Sequence, residues 1–167
     1  MSSVKRPYII DLEASGFGRD SYPIEVGVAL EEGERYCCLI YPDPSWTHWS
    51  EDAEQCHQIP RANLLEHGKP IDLVADMLNT LLEGKTVYSD AWSWDTTWLN
   101  TLFSKAEVSM RFHISPLEMI MNEEQVDIWD NFRDQVTEDL NIVRHRASND
   151  AFLIQETYLR TRKAVKG

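Results

Sequence analysis

YIIDLEASG, residues 8–16, places two carboxylates within a run of apolar residues. The run predicts a buried β-strand, in which successive side chains point to opposite faces. Asp11 and Glu13 therefore project on one face, and Ile10 and Leu12 project on the other. Buried ionised carboxylates are costly unless hydrogen bonds, basic partners or a bound cation compensate them. The pair alone leaves two interpretations open: a solvated edge strand and a cation site.

Length and composition predict a single globular domain over residues 1–167. The net charge of −12 argues against a protein that binds long double-stranded nucleic acids, but it is compatible with a short or single-stranded ligand. No apolar stretch approaches about 20 residues, and the amino terminus lacks a signal-peptide pattern. We therefore expect a cytoplasmic protein without membrane contact. The three cysteines lack CxxC spacing, which favours reduced thiols and no zinc site. The sequence leaves the formation of a homodimer as one alternative.

Turn residues and apolar periodicity predict an α/β fold with a mixed sheet and helices on both faces. The predicted strands lie in residues 8–16, in a hairpin over 24–42, in 85–91 and in 108–115. The predicted helices are 70–84, 94–106, most of 117–140, and 148–163. Residues 43–69 lack sustained periodicity and predict a long connection with one short helix.

Two further aspartates head the apolar stripes of predicted helices. We expect one helix to begin near Asp95, and Asp150 has the same place in the terminal helix. The helix dipole alone favours acids in first turns, so a capping role is the alternative. Four converging carboxylates would repel one another unless divalent cations lay among them. Oxygen-only ligation selects Mg²⁺ or Mn²⁺, and two such ions can promote phosphodiester hydrolysis.

His145 lies five residues before Asp150, and its ordinary pKa suits general-base catalysis near neutral pH. Five residues of helix rotate by about 500°, so we place His145 in the loop before the helix and Asp150 inside it. The alternative is an ordinary surface histidine. Arg144, Arg146 and Lys105 are candidate phosphate contacts or plain surface cations.

Three motifs, in order, resemble those of the DnaQ-like, or DEDD, 3′–5′ exonucleases. They are IIDLEASG (9–16), WSWDTTWL (92–99) and HRASNDA (145–151). IEVGVAL (24–30) also resembles the family's second strand, and CHQI (56–59) resembles its segment after the third strand. The resemblance spans residues 8 to about 160 and implies a ribonuclease-H-like fold, with a mixed five-stranded sheet flanked by helices on both faces.

The resemblance also implies the site residues. Two divalent ions, Mg²⁺ or Mn²⁺, would be held by Asp11, Glu13, Asp95 and Asp150. His145 would be the general base, as in the histidine-containing (DEDDh) branch. The predicted substrate contacts are Ala14, Ser15, Gly16 and Phe17 of the loop after the first motif, together with His57 and Trp92. Trp92 is included as a loop tryptophan that could stack on an unpaired base.

Two departures from the family pattern affect this assignment. Asp90 and Ala91 stand where family members often carry His-Asn, which makes Asp90 a rival ligand to Asp95. We prefer Asp95 because it lies at the predicted start of its helix, on the same face as the apolar residues. Ala14 and Ser15 replace a Thr-Thr pair that is common in the family, so the resemblance does not predict which nucleobase the site prefers.

The sequence therefore predicts an exonuclease that releases nucleoside monophosphates from the 3′ ends of single-stranded DNA or RNA by two-metal-ion hydrolysis. One alternative is a binding module that keeps this fold and acts through the acidic surface from Glu118 to Asp139. A second alternative is a small-nucleotide phosphodiesterase that uses the same site and prefers mono- or dinucleotides.

Overall fold

The computed structural model describes residues 5–166. One mixed sheet contains five strands in the order β3-β2-β1-β4-β5, which confirms the predicted architecture. The strands are β1 (Ile9–Ala14), β2 (Pro23–Ala29), β3 (Arg35–Leu39), β4 (Thr86–Ser89) and β5 (His113–Pro116). The first three strands pair antiparallel, and β4 pairs parallel with both β1 and β5. β1 is therefore central, which excludes the edge-strand interpretation.

Helices cover both faces of the sheet. They are α1 (Glu51–His57), α2 (Arg61–His67), α3 (Ile71–Leu82), α4 (Trp92–Ala106), α5 (Glu123–Asp139) and α6 (Ala147–Lys166), with a short 3₁₀ helix at Leu117–Ile120. Asn122 begins α5 with a capping box, in which its side chain and that of Gln125 each accept a backbone N–H of the other residue. Within residues 5–166, none of the helices is both long and apolar enough to cross a membrane.

Successive side chains of β1 point to opposite faces of the sheet, and the core therefore has two layers. Ile10, Leu12 and Ala14 pack with α3 and α4 on one face. Ile9 packs with α6 residues such as Ile154 on the other face. Because Asp11 and Glu13 continue the row that begins at Ile9, they lie on the α6 side of the sheet, toward the carboxyl end of β1.

Local elements differ from the predictions in three places. Residues 43–69 contain two helices, α1 and α2, each of seven residues, and such short helices leave little periodicity in the sequence. α4 begins at Trp92, so the expectation that it begins near Asp95 is wrong by almost a turn. The fifth strand begins only at His113, because residues 108–112 form a connection after α4.

Candidate active site

Asp11 and Glu13 are held in the centre of the sheet, where water is scarce. Asp11 is only 9% exposed, and Glu13 is partly buried. Burial, followed by the negative charges of four neighbouring acids, raises the pKa of Asp11 well above its ordinary value. Burial, with Asp150 as the largest charged contributor, raises the pKa of Glu13 to about 9. In the absence of a counter-charge, this strand end therefore favours protonated acids.

Asp95 occupies the first turn of α4 and is only 1% exposed. The Ser89 hydroxyl donates a hydrogen bond of 2.6 Å to Asp95 Oδ2 and accepts the Ala91 N–H at 3.0 Å. These bonds fix the carboxylate to the end of β4. Burial outweighs the Ser89 hydrogen bond and raises the pKa of Asp95 to about 7.

Asp150 reaches the same region from the first turn of α6. The backbone N–H of His145 donates to both carboxylate oxygens of Asp150, at 3.0 and 3.2 Å. Burial raises the pKa of Asp150 to about 6, although the positive charge of Arg144 opposes the shift.

The acids form two clusters that share Asp11. Ligand oxygens of Asp11, Glu13 and Asp150 lie within 4.8 Å of one another, and so do those of Asp11, Asp90 and Asp95. We call these the first and the second carboxylate trio. Asp90, the exposed member, therefore does not replace Asp95, because both lie beside Asp11. The structure brings the four predicted acids together and adds a fifth.

The trios have the chemistry of a site for hard divalent ions. Asp11 Oδ2 and Asp95 Oδ1 are buried and have no hydrogen-bond donor within residues 5–166. A buried acceptor without a partner is costly, and a cation would satisfy both atoms. The donor atoms are all carboxylate oxygens, which suit Mg²⁺ or Mn²⁺ better than softer metals. The residues therefore fit divalent cations.

A cleft of about 500 Å³ opens beside the first trio. Of the predicted site residues, its lining includes Glu13, Ala14, Gly16, Phe17, His57 and His145. Ligand sites of this kind commonly have volumes of about 300–1,000 Å³, so a nucleotide-sized group can enter.

Phe17 presents an aromatic face at this cleft, where it is 68% exposed. Its ring meets Trp94 edge-on, with centroids 5.0 Å apart, and lies 6.1 Å from Trp98. Trp94 and Trp98 stack on each other at 5.5 Å. An exposed ring supported by two tryptophans offers a stacking platform for a base.

Ser15 supports the loop rather than lining the cleft. Its fully buried hydroxyl accepts the Tyr22 N–H at 3.1 Å and lies 2.9 Å from His48 Nδ1. His48 does line the cleft, and it packs so closely on the loop that a Cβ at Gly16 would lie 2.7 Å from its Cε1. We did not predict His48 from the sequence, since only the tertiary fold joins positions 15 and 48.

Trp92 lies outside the cleft lining, whereas His57 is a buried residue of that lining. The prediction that Trp92 lies in a loop is wrong, because it begins α4 and its indole N–H donates to the Ile114 carbonyl at 3.0 Å. It is not part of the cleft lining, so its substrate contact stays a prediction. His57 is 3% exposed and its Nδ1 accepts the Ile59 N–H at 3.0 Å. Burial lowers its pKa, which favours the neutral ring at this end of the cleft.

His145 lies between α5 and α6 with a left-handed backbone (φ +65°), and it lines the same cleft as Glu13. It precedes the helix that contains Asp150, as predicted. Two of the candidate phosphate contacts have acidic partners: Arg146 pairs with Glu25 at 2.8 Å, and Lys105 pairs with Asp43 at 3.2 Å.

Comparisons with known proteins identify similar folds at low sequence identity. No protein-family profile and no curated protein match the chain. Exonuclease I from Methylocaldum szegediense is 11% identical, with a TM-score of 0.70 over 93% of this chain and 40% of that one. E. coli exonuclease I bound to single-stranded DNA, in a zinc-containing form, is 12% identical, with a TM-score of 0.69 over 95% and 41%.

A full-length 3′-exonuclease is 14% identical, with a TM-score of 0.61 over 97% of this chain and 84% of that one. The chain spans only about two fifths of the exonuclease I structures. With its five-stranded mixed sheet and flanking helices, it has the ribonuclease-H-like fold that these exonucleases share.

Proposed function

We propose that the protein is a metal-dependent 3′–5′ exonuclease that releases nucleoside monophosphates from single-stranded nucleic acid. The observation that carries this proposal is the pair of carboxylate trios sharing Asp11, next to a cleft of nucleotide size. The similarity of the fold to exonuclease I bound to single-stranded DNA supports the same class of ligand.

Asp11 would hold both of two Mg²⁺ or Mn²⁺ ions, since it belongs to both trios. Glu13 and Asp150 complete the first trio, and Asp90 and Asp95 complete the second. When bound, the ions would lower the pKa of the attacking water and stabilise charge on the leaving oxygen. The five acids thus support a binding position for the scissile phosphate at the carboxyl end of β1.

His145 takes the proton of the attacking water. The residue lines the same cleft as Glu13, and its backbone bond to Asp150 ties the loop to the first trio. Because the residue is exposed, the accepted proton can pass to solvent. These features support the role of a general base.

The terminal nucleotide enters the cleft with its base on Phe17 and its sugar against the backbone of Ala14 and Gly16. Single strands suit this arrangement because stacking needs an unpaired base. The net charge of −12 and the acidic partners of Arg146 and Lys105 leave little cationic surface for a duplex backbone. Short single-stranded ends of DNA or RNA are therefore the proposed substrates.

The test uses 5′-labelled single-stranded 20-mers of DNA and RNA, incubated with Mg²⁺ or Mn²⁺. The proposal expects stepwise shortening from the 3′ end, abolished by EDTA, with duplexes of the same sequence resistant. A parallel reaction with a dinucleotide separates an exonuclease from a small-nucleotide phosphodiesterase. Failure of the wild-type protein to shorten any strand would refute the proposed function.

His145→Ala is expected to retain metal binding and to lose activity. Removing a general base lowers the rate by about 10²-fold or more, whereas the five acids stay in place. Mn²⁺ affinity by calorimetry and single-turnover rates check the two parts separately. The matched control is His67→Ala, since that side chain is 64% exposed at the end of α2. Unchanged turnover in His145→Ala would remove the assigned role.

Phe17→Ala is expected to weaken substrate binding and leave the chemistry intact. Base stacking on an aromatic ring contributes about 1–3 kcal/mol, so the KM should rise by about 5- to 150-fold with a nearly constant kcat. Initial rates on a single-stranded 20-mer measure this split. Tyr41→Ala, which truncates an exposed tyrosine outside the cleft lining, is the control. A change in kcat alone would contradict the stacking role.

A further inference from the structure

β2 contains a buried carboxylate that the proposed chemistry does not use. Glu25 is 2% exposed and pairs in register with Glu13 of β1. Two acids opposite each other on neighbouring strands repel, so Glu25 requires compensation. It receives this from the start of α6. Arg146 Nη2 donates to Glu25 Oε2 at 2.8 Å, and the Ala147 N–H donates to Oε1 at 2.6 Å.

The partners of Glu25 lie inside the segment that contains two predicted site residues. Arg146 directly follows His145, and its carbonyl accepts the Asp150 N–H at 2.8 Å. Ala147 is the first residue of α6, where a carboxylate is favoured by both the free N–H groups and the helix dipole. Glu25 thus binds the backbone and side chain of the link between His145 and Asp150.

Gly27 brings the same segment into direct contact with β2. A Cβ at Gly27 would lie 2.3 Å from the Ala147 carbonyl carbon and 2.4 Å from the Ser148 nitrogen. Only glycine leaves room for the backbone of α6 to rest on the strand here. Glu25 and Gly27 are two residues apart and point to the same face, so the strand positions α6 by a charged contact and a steric one.

We propose that Glu25 is a positioning residue, which acts through Arg146 and Ala147 to place His145 and Asp150 against Glu13. Its role in turnover rests on the proposed function, and its role in cation binding requires only the first carboxylate trio. Groups that orient metal ligands typically change metal affinity by about 10–100-fold when they are mutated.

Glu25→Gln tests this role because glutamine keeps an oxygen for the Ala147 N–H but loses the charge that holds Arg146. We expect Mn²⁺ affinity to fall by about 10-fold or more and kcat to fall at least as far. The KM for a single-stranded oligonucleotide should change by less than about threefold, since the proposed stacking residue Phe17 contacts Trp94 and Trp98 of α4 and not the Glu25 contact with α6.

The matched control is Glu156→Gln, which breaks another α6 ion pair, to Arg6 at 2.5 Å, and Glu156 belongs to neither carboxylate trio. Both substitutions should lower the melting temperature, but only Glu25→Gln should change Mn²⁺ affinity. Arg146→Lys provides a second variant if the first folds poorly. Lysine cannot bind bidentately, so Mn²⁺ affinity should fall, but by less than in Glu25→Gln because lysine keeps the positive charge opposite Glu25.

Equal Mn²⁺ affinity in the wild-type protein, Glu25→Gln and Arg146→Lys would overturn the positioning role. A wild-type protein that binds Mn²⁺ but shortens no strand, together with a Glu25→Gln variant that binds Mn²⁺ more weakly, would remove the proposed function and support the positioning role. The two proposals therefore fail separately.

Discussion

Asp11→Asn is expected to abolish strand shortening, with kcat reduced by at least about 10³-fold. Asp11 is the only residue that belongs to both carboxylate trios. The substitution therefore weakens both ion sites at once, whereas a change at Asp95 or Asp150 weakens one of them. The amide nearly preserves the size of the side chain, so the loss reports charge and ligation rather than packing. Single-turnover kinetics with saturating Mn²⁺ measure the effect.

The same variant should fold well without metal, which separates a site defect from unfolding. Asparagine cannot acquire the charge that burial and four neighbouring acids disfavour at position 11, so Asp11→Asn should melt at the wild-type temperature or above it in EDTA. Asp127→Asn is the matched control, because Asp127 is an exposed aspartate on α5, outside both trios. Undiminished shortening by Asp11→Asn would show that the acids are not the catalytic centre.

The central features of the fold could be predicted from local pattern alone. The period of two in β1 places Asp11 and Glu13 on one face whatever surrounds the strand. The apolar stripes of α4 and α6 similarly identify which side of each helix faces the core. These predictions succeed because side-chain direction within one element depends only on backbone geometry.

The rest of the site depends on contacts between distant segments, which periodicity cannot supply. The sequence makes Asp90 and Asp95 rival ligands, but the turn between β4 and α4 brings both to Asp11. The sequence predicts Ser15 as a substrate contact, but its hydroxyl lies against His48, 33 residues away. Glu25 stands in the sequence only as part of IEVGVAL, since nothing local indicates that its partners are Arg146 and Ala147.

The acids also predict how stability depends on pH when metal is removed. The ordinary pKa values are 4.5 for Glu13 and 3.8 for Asp95 and Asp150, and the fold raises them to about 9, 7 and 6. Between each group's ordinary pKa and its raised pKa, the folded chain binds more protons than the unfolded chain. The free energy of unfolding therefore decreases as pH rises. The stabilisation is complete below about pH 4 and is lost as pH passes through about 6, 7 and 9.

We expect the melting temperature in EDTA to fall by roughly 5 °C or more between about pH 5 and pH 9. For each extra proton that the folded chain binds, the free energy of unfolding falls by about 1.4 kcal/mol per pH unit. A change of 1 kcal/mol shifts the melting temperature of a domain of this size by about 2–4 °C.

Saturating Mn²⁺ should remove most of this dependence, because cations then replace protons as the positive charge among the acids. Asp95→Asn, which leaves one fewer group to titrate, should have a shallower slope in EDTA, and Asp127→Asn should keep the wild-type slope. A melting temperature that is constant or rises with pH in EDTA would mean that the five acids ionise together at no cost. That is incompatible with the crowding and burial from which the cation site is inferred.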